Sequence, residues 1–187
     1  MDAEVVVLVE GESDAAAVET LADRYAIAPG RLRPYVAFGV TNYRRILIEL
    51  GHRHPSVRVV GLYDEPEEHV VRRAVEAAGL GTPSGREHLE RLGFHACATD
   101  LEAEFIRAIG TDRVEQLIES EGELPSLRRF QAQPAQRGRP ADQQLRRFMG
   151  TKSMRKIRYG HLLAAAVDLD AVPDPLRRVT VDLFAPR

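Results

Sequence analysis

The chain opens on an apolar run, Val5-Val6-Val7-Leu8-Val9, that is continuous rather than alternating. Such a run reads as a strand buried on both faces, as in a parallel sheet. At Val18, Leu21, Ala22 and Tyr25 the apolar positions switch to the i, i+3, i+4, i+7 spacing of an amphipathic helix. The two periods then alternate. A short strand is predicted over Pro34 to Phe38, closed by Gly39. A helix follows on Tyr43, Ile46, Leu47 and Leu50, capped by Thr41 or Asn42 and stopped at Gly51. A strand covers Val57 to Tyr63, and a third helix carries Val70, Val71, Ala74, Val75 and Ala78 with Gly79 at C′. Phe94 to Thr99 is the fourth strand, and Leu101, Phe105, Ile106 and Ile109 begin a helix that ends at Gly110. The order βαβαβαβα predicts an α/β fold, a parallel sheet of about four strands between helices, with right-handed crossovers.

After Gly110 the strand signal fades. Val114, Leu117 and Ile118 mark a helix, while Leu124 to Pro140, rich in Pro, Gln, Gly and Arg, reads as a loop. Helices are predicted over Ala141 to Met149 and Met154 to Leu169, and a weak strand over Val179 to Phe184. The expected organisation is an α/β core over residues 1–110 and a mainly helical, basic extension over 111–187, packed on or beside it.

Composition narrows the class. No stretch approaches the roughly 18 apolar residues of a membrane span, and no basic region precedes the first apolar run, so a cytoplasmic chain without a membrane partner is expected. The single cysteine, Cys97, excludes an internal disulfide and a Cys-based zinc cluster, and its place in a strand makes it a buried spectator. The net charge of −2 hides an asymmetry. Between Arg128 and Arg158 there are ten basic residues and one acid, Asp142; the rest of the chain is strongly acidic. An acidic body with a basic segment suits a protein that holds cations in one part and polyanions in another, although a solvated arginine-rich surface would look the same. The chain has only two lysines, Lys152 and Lys156, both in Thr151-Lys152-Ser153-Met154-Arg155-Lys156. A lysine is a compact, mobile charge that can approach a single phosphate oxygen.

The acids have a pattern of their own. Glu10 follows the first strand, ahead of Gly11-Glu12-Ser13-Asp14; Gly11 permits a sharp turn, Ser13 is a candidate helix cap, and Asp14 falls in the first helical turn. Asp64, Glu65 and Glu67 follow the third strand, and Asp100 and Glu102 the fourth. In a parallel sheet these positions share one edge, the crevice where open α/β sheets bind ligands. Taken singly, Glu65, Glu67 and Glu68 could serve a helix dipole, Asp100 a cap, and Asp14 a first turn. Gathered at one edge, they need cations or protons to offset their repulsion, and among cations carboxylate oxygens favour magnesium or manganese. Tyr159 as a nucleophile, the scattered histidines as ligands, and Phe130, Phe148 and Tyr159 as base-stacking groups are weaker readings.

Val9-Glu10-Gly11-x-x-Asp14 behind an apolar strand resembles the opening motif of TOPRIM domains, found in topoisomerases, primases and recombination mediators. That pattern wants an Asp-x-Asp after a later strand. Here Asp64-Glu65-Pro66-Glu67 lacks the second aspartate and offers Glu67 one place further on. Ala98-Thr99-Asp100-Leu101-Glu102-x-Glu104, followed much later by the lysine-bearing segment, resembles the TOPRIM half of OLD-family (overcoming lysogenization defect) nucleases over most of the chain. The resemblance implies a TOPRIM-like fold and two-metal hydrolysis of nucleic acid, in practice DNA nicking by an endonuclease using Mg²⁺ or Mn²⁺. It implies Glu10 as ligand or general base, Asp14, Asp64, Glu67, Asp100 and Glu102 as ligands, and Lys152 or Lys156 beside the phosphate. Arg146, Arg147, Lys152, Arg155, Lys156 and Arg158 form the expected nucleic-acid surface. OLD-type nucleases carry an ATPase domain ahead of this part. The chain has no G-x-x-x-x-G-K-[ST] run, so it acts alone or with a separately encoded ATPase. The missing aspartate leaves open a non-catalytic module that binds nucleic acid or such a partner. Nucleotidyl transfer, as in primases, is the least favoured alternative.

Overall fold

The computed structural model describes residues 4–184. Four parallel strands, β1 (Val5–Val9), β2 (Leu32–Val36), β3 (Arg58–Asp64) and β4 (Phe94–Cys97), lie in the order β2-β1-β3-β4. The continuous apolar run of β1 is explained by its central place: Val5, Val7 and Val9 face one buried cluster, and Val6 and Leu8 face another. Helices α1 (Glu12–Arg24) and α5 (Leu101–Ile109) cover the first face, and α2 (Tyr43–Arg53), α3 (Glu68–Ala77) and the short α4 (Arg86–Arg91) the second. β1 hands the chain to β2 on one side, and β3 hands it to β4 on the other. The topological switch point therefore lies between the C-terminal ends of β1 and β3.

Two residues shape the sheet near that point. Gly61 of β3 lets the Phe94 ring lie against its backbone; a Cβ there would sit 2.7 Å from the ring. Tyr43, fully buried in α2, donates its hydroxyl to the carbonyl of Leu62 at 2.5 Å and lies 3.4 Å from that of Leu8.

The remaining helices are α6 (Thr111–Ser120), α7 (Leu124–Gln131), α8 (Ala141–Met149), α9 (Ser153–Ala166) and α10 (Asp174–Arg178). They share the first cluster with the sheet: Leu145, Phe148, Tyr159 and Leu163 are buried with Val7, Val18 and Leu21. α9 lies so close along α1 that a Cβ on Gly160 would fall 2.3 Å from the carbonyl oxygen of Ser13.

Several local expectations are corrected. The stretch from Leu124 begins with a helix, because Pro125 stands in its first turn, where a missing N–H costs nothing, and Leu127 is driven into the core. No strand covers Val179 to Phe184; Val179 and Thr180 are buried at the end of α10, and Val181–Leu183 is a 3₁₀ turn. α4 gave no readable signal, since a helix this short buries only Leu89. α2 runs through Gly51 to Arg53, and α9 stops at Ala166, short of Leu169. Ser13 is not a cap: Gly11 holds that position, and the Asp14 carboxylate accepts its N–H at 2.8 Å.

Candidate metal centre

The residues that end β1 and β3 meet at the switch point. One carboxylate oxygen each from Glu10, Asp64 and Glu67 lie within 4.8 Å of one another. β1 delivers Glu10, β3 ends on Asp64, and the 3₁₀ turn Glu65–Glu67, started by Pro66, folds Glu67 back over the sheet edge. Asp14 reaches the same spot from the first turn of α1 and lines a niche of about 10 Å³ with Glu10 and Asp64. That is room for one water-sized particle.

A second group lies beside the first. Asp100 caps α5, accepting the Ala103 N–H at 2.9 Å on Oδ1, and receives Arg146 at 3.1 Å on Oδ2. Glu102, in the first turn of α5, is only 3% exposed, and its Oε1 lies 3.6 Å from the Lys156 ammonium. Asp100, Glu102, Arg146, Arg147, Thr151 and Lys156 line an open groove of about 380 Å³. A larger hollow of about 510 Å³, lined by Thr99, Arg107, Gln143 and Arg146, lies further along α5 and contains none of the converging acids.

The electrostatics reflect crowding. Burial, then a hydrogen bond from Glu67 and that residue's charge, push Glu10 up to about 7, with Lys156 opposing. Burial and the charges of Asp14, Asp100, Glu10 and Glu67 push Asp64 up to about 8. Burial pushes Glu102 up to about 7, with Lys156 pulling the other way, and burial also raises Asp14 against the Gly11 hydrogen bond. Burial lowers the Lys156 ammonium, but Glu102, Asp14, Asp64 and Asp100 outweigh it, and its pKa rises. Glu67 Oε2 and Glu102 Oε1 are buried with no hydrogen-bond partner among the described residues. Buried carboxylate oxygens without a donor are costly, and an all-oxygen set of this kind suits a hard divalent cation. The acids thus fit a metal ion on the structure's own terms.

The two lysines separate. Lys156 enters the crevice from α9; Lys152, whose backbone is extended ahead of the first turn of α9, is exposed. The basic run is less free than its charge count implies. Arg155, with a side chain 11% exposed, is bonded to Glu123 and lies 4.2 Å over the Phe148 ring, and Arg158 pairs with Glu121. Arg147 and Lys152 have no ion pair among the described residues. Cys97 is buried. Sequence reasoning placed Tyr43 only on the apolar face of its helix and assigned no role to Gly160. A glycine inside a helix, about 1 kcal/mol worse than alanine, was the one signal for the latter.

No protein-family model matches the chain, and no curated protein does. Among the described residues, no helix is long and apolar enough to cross a membrane. Solved structures do match. The chain is similar to the C-terminal region of the OLD protein of Xanthomonas campestris pv. campestris, with 21% identity and a TM-score of 0.70 over 95% of this chain and 90% of that one. It is similar to the C-terminal region of the Burkholderia pseudomallei OLD protein, with 18% identity and a TM-score of 0.70 over 98% of each. The chain therefore has a TOPRIM-like α/β fold, shared over nearly its whole length with the C-terminal regions of these OLD proteins.

Proposed function

We propose that the chain is a divalent-metal-dependent phosphodiesterase that nicks nucleic acid, DNA in the first instance. The convergence of Glu10, Asp64 and Glu67 beside a lysine, at the crevice where this fold class binds ligands, carries the reading. Glu10, Asp64 and Glu67 would hold one Mg²⁺ or Mn²⁺, and Asp14, Asp100 and Glu102 a second. Bound there, such ions supply Lewis-acid stabilisation to the attacking and leaving oxygens of an in-line displacement. Glu10 is either a ligand of the first ion or the group that accepts the proton of the attacking water. Lys156 offsets charge gathering on the phosphate. Arg147 and Lys152 guide the backbone of the nucleic acid.

One observation favours a non-catalytic binding module instead: Asp100 already caps α5 and holds Arg146. Plasmid nicking in Mn²⁺ separates the readings. The wild type is expected to nick, and Glu10→Ala to lose the activity; equal residual nicking in both would leave the module reading. In the same assay Lys156→Ala is expected to fall about 10²–10³-fold, as when one preorganised charge donor is removed. Lys152→Ala should stay within a few-fold.

Stability against pH gives a check without substrate. Glu10, Asp64 and Glu102 have folded pKa values of about 7, 8 and 7, above the ordinary carboxylate range, so the folded chain keeps protons that the unfolded chain releases. Their contribution is fully present below the ordinary carboxylate pKa and is lost as pH rises through 7 to 8. Melting in EDTA should therefore occur at lower temperature at pH 8.5 than at pH 5.5. Mn²⁺, which binds deprotonated carboxylates, should raise the melting temperature more at pH 8.5. An EDTA melting curve that is flat or rising across this range would contradict the crowding.

A further inference from the structure

Phe38 ends the loop behind β2 and is 74% exposed. Its φ is 54°, in the left-handed region, where a bulky residue is strained. The turn is held there: Asn42 donates to the carbonyls of Ala37 and Phe38 at 2.9 and 3.1 Å, and Gly39 donates its N–H to the Glu10 carbonyl at 3.1 Å. The fold thus accepts strain to present an unpacked aromatic ring on the lip of the metal centre. Behind it a groove of about 420 Å³ runs along the edge of β2, lined by Arg33, Pro34, Tyr35, Phe38, Arg45 and Ile46. Arg33 is exposed and has no ion pair among the described residues, and Arg45 has only an exposed one to Glu49.

This edge is poorly suited to adding a strand. Ala37 donates its N–H to Val9 across the ladder, so the alternating nitrogen of Pro34 faces outward, where it offers no donor. An aromatic ring interleaved with arginines beside a phosphate-cleaving centre instead fits a flexible polyanion with flat bases. We infer that the β2 edge binds an unpaired stretch of the nucleic-acid strand next to the scissile phosphate. One base stacks on Phe38, and Arg33 and Arg45 face the backbone. The inference rests on the phosphodiesterase reading and adds to it a preference for substrates with a single-stranded or frayed flank.

The test is binding, in EDTA, of a single-stranded oligonucleotide carrying 2-aminopurine, read by its fluorescence, with Mn²⁺ nicking of plasmid measured in parallel. Phe38→Ala and Phe38→Gly are expected to weaken binding roughly tenfold and to lose the stacking quench, and Phe38→Trp to keep both. Phe38→Gly relieves the left-handed strain, so its melting temperature should equal or exceed that of the wild type, separating lost stacking from lost folding. Arg33→Glu should weaken binding and flatten its salt dependence. Binding by Phe38→Ala within twofold of the wild type would overturn the inference while leaving nicking intact. A sedimentation shift from dimer to monomer in Phe38→Ala would also overturn it, making this face a contact between copies. Phe38-dependent binding by a wild type that never nicks would support the groove and remove the phosphodiesterase reading.

Discussion

Asp64→Asn is expected to stay folded, to melt in EDTA at pH 8.5 above the wild type, and to lose Mn²⁺-dependent nicking by about 10²–10⁴-fold, the several kcal/mol that a metal's charge stabilisation supplies. Both halves follow from one cause. Asp64 sits centrally, raised to about 8 by burial and by Asp14, Asp100, Glu10 and Glu67. An amide keeps its shape and removes a charge that four neighbours oppose, so the empty protein relaxes. The same change removes a ligand from the proposed ion, and no other carboxylate reaches from β3 to replace it, since Glu67 is already part of the triad. Stability and activity therefore move in opposite directions, as at sites built for function rather than for packing. A variant that loses both would mean that Asp64 supports the fold. A variant that keeps both would mean that the triad binds nothing of consequence. Calorimetry in EDTA and in Mn²⁺, with nicking rates beside it, reads all three outcomes.

Gly160→Ala is expected to be the most damaging single methyl in the chain. Propensity alone would favour it, since alanine is about 1 kcal/mol better than glycine in a helix. The contact decides otherwise. The new Cβ would lie 2.3 Å from the Ser13 carbonyl oxygen and 3.0 Å from its carbon, and backbone cannot swing aside as a side chain can. α1 and α9 must separate, at a cost of about 1–3 kcal/mol as for overpacked cores, or roughly 2–12 °C in melting temperature. The damage should reach function, because Lys156 is one turn earlier on α9 and Asp14 is the neighbour of Ser13 on α1. Gly51→Ala is the control. Gly51 is helical, exposed and has nothing within 4 Å of a built Cβ, so the same substitution there should stabilise by about 0.5–1 kcal/mol. Equal effects at the two positions would show that the close approach of α1 and α9 is not real.

The α/β core was readable because each of its elements announces itself by period. A central parallel strand must be apolar on both faces, and β1 is; the residues after parallel strands must share an edge, so the acids could be placed from order alone. What stayed hidden depended on phase and partners. Lys152 and Lys156 are four apart and would share a helical face, but α9 starts only at Ser153, which leaves Lys152 outside the helix. The arginine-rich run looked like one positive surface. Half of its ten basic residues are paired with acids, Arg128 with Glu115, Arg158 with Glu121 and Arg155 with Glu123 among them, and no charge count reveals such pairing. The exposed ring of Phe38 was read as the close of a strand, since its left-handed backbone leaves no trace in composition.

The dependence of the acid crevice on α9 also sets the order in which the crevice is assembled. Glu10, Asp14, Asp64 and Glu102 are all made within the first 102 residues, whereas their neutralising lysine is residue 156 and the helix that carries it also covers α1. A ribosome-bound chain that has not yet released α9 holds the ligands without the cation beside them and leaves Val18 and Leu21 uncovered. The crevice is therefore incomplete until α9 has docked along α1 and brought Lys156 to Glu102.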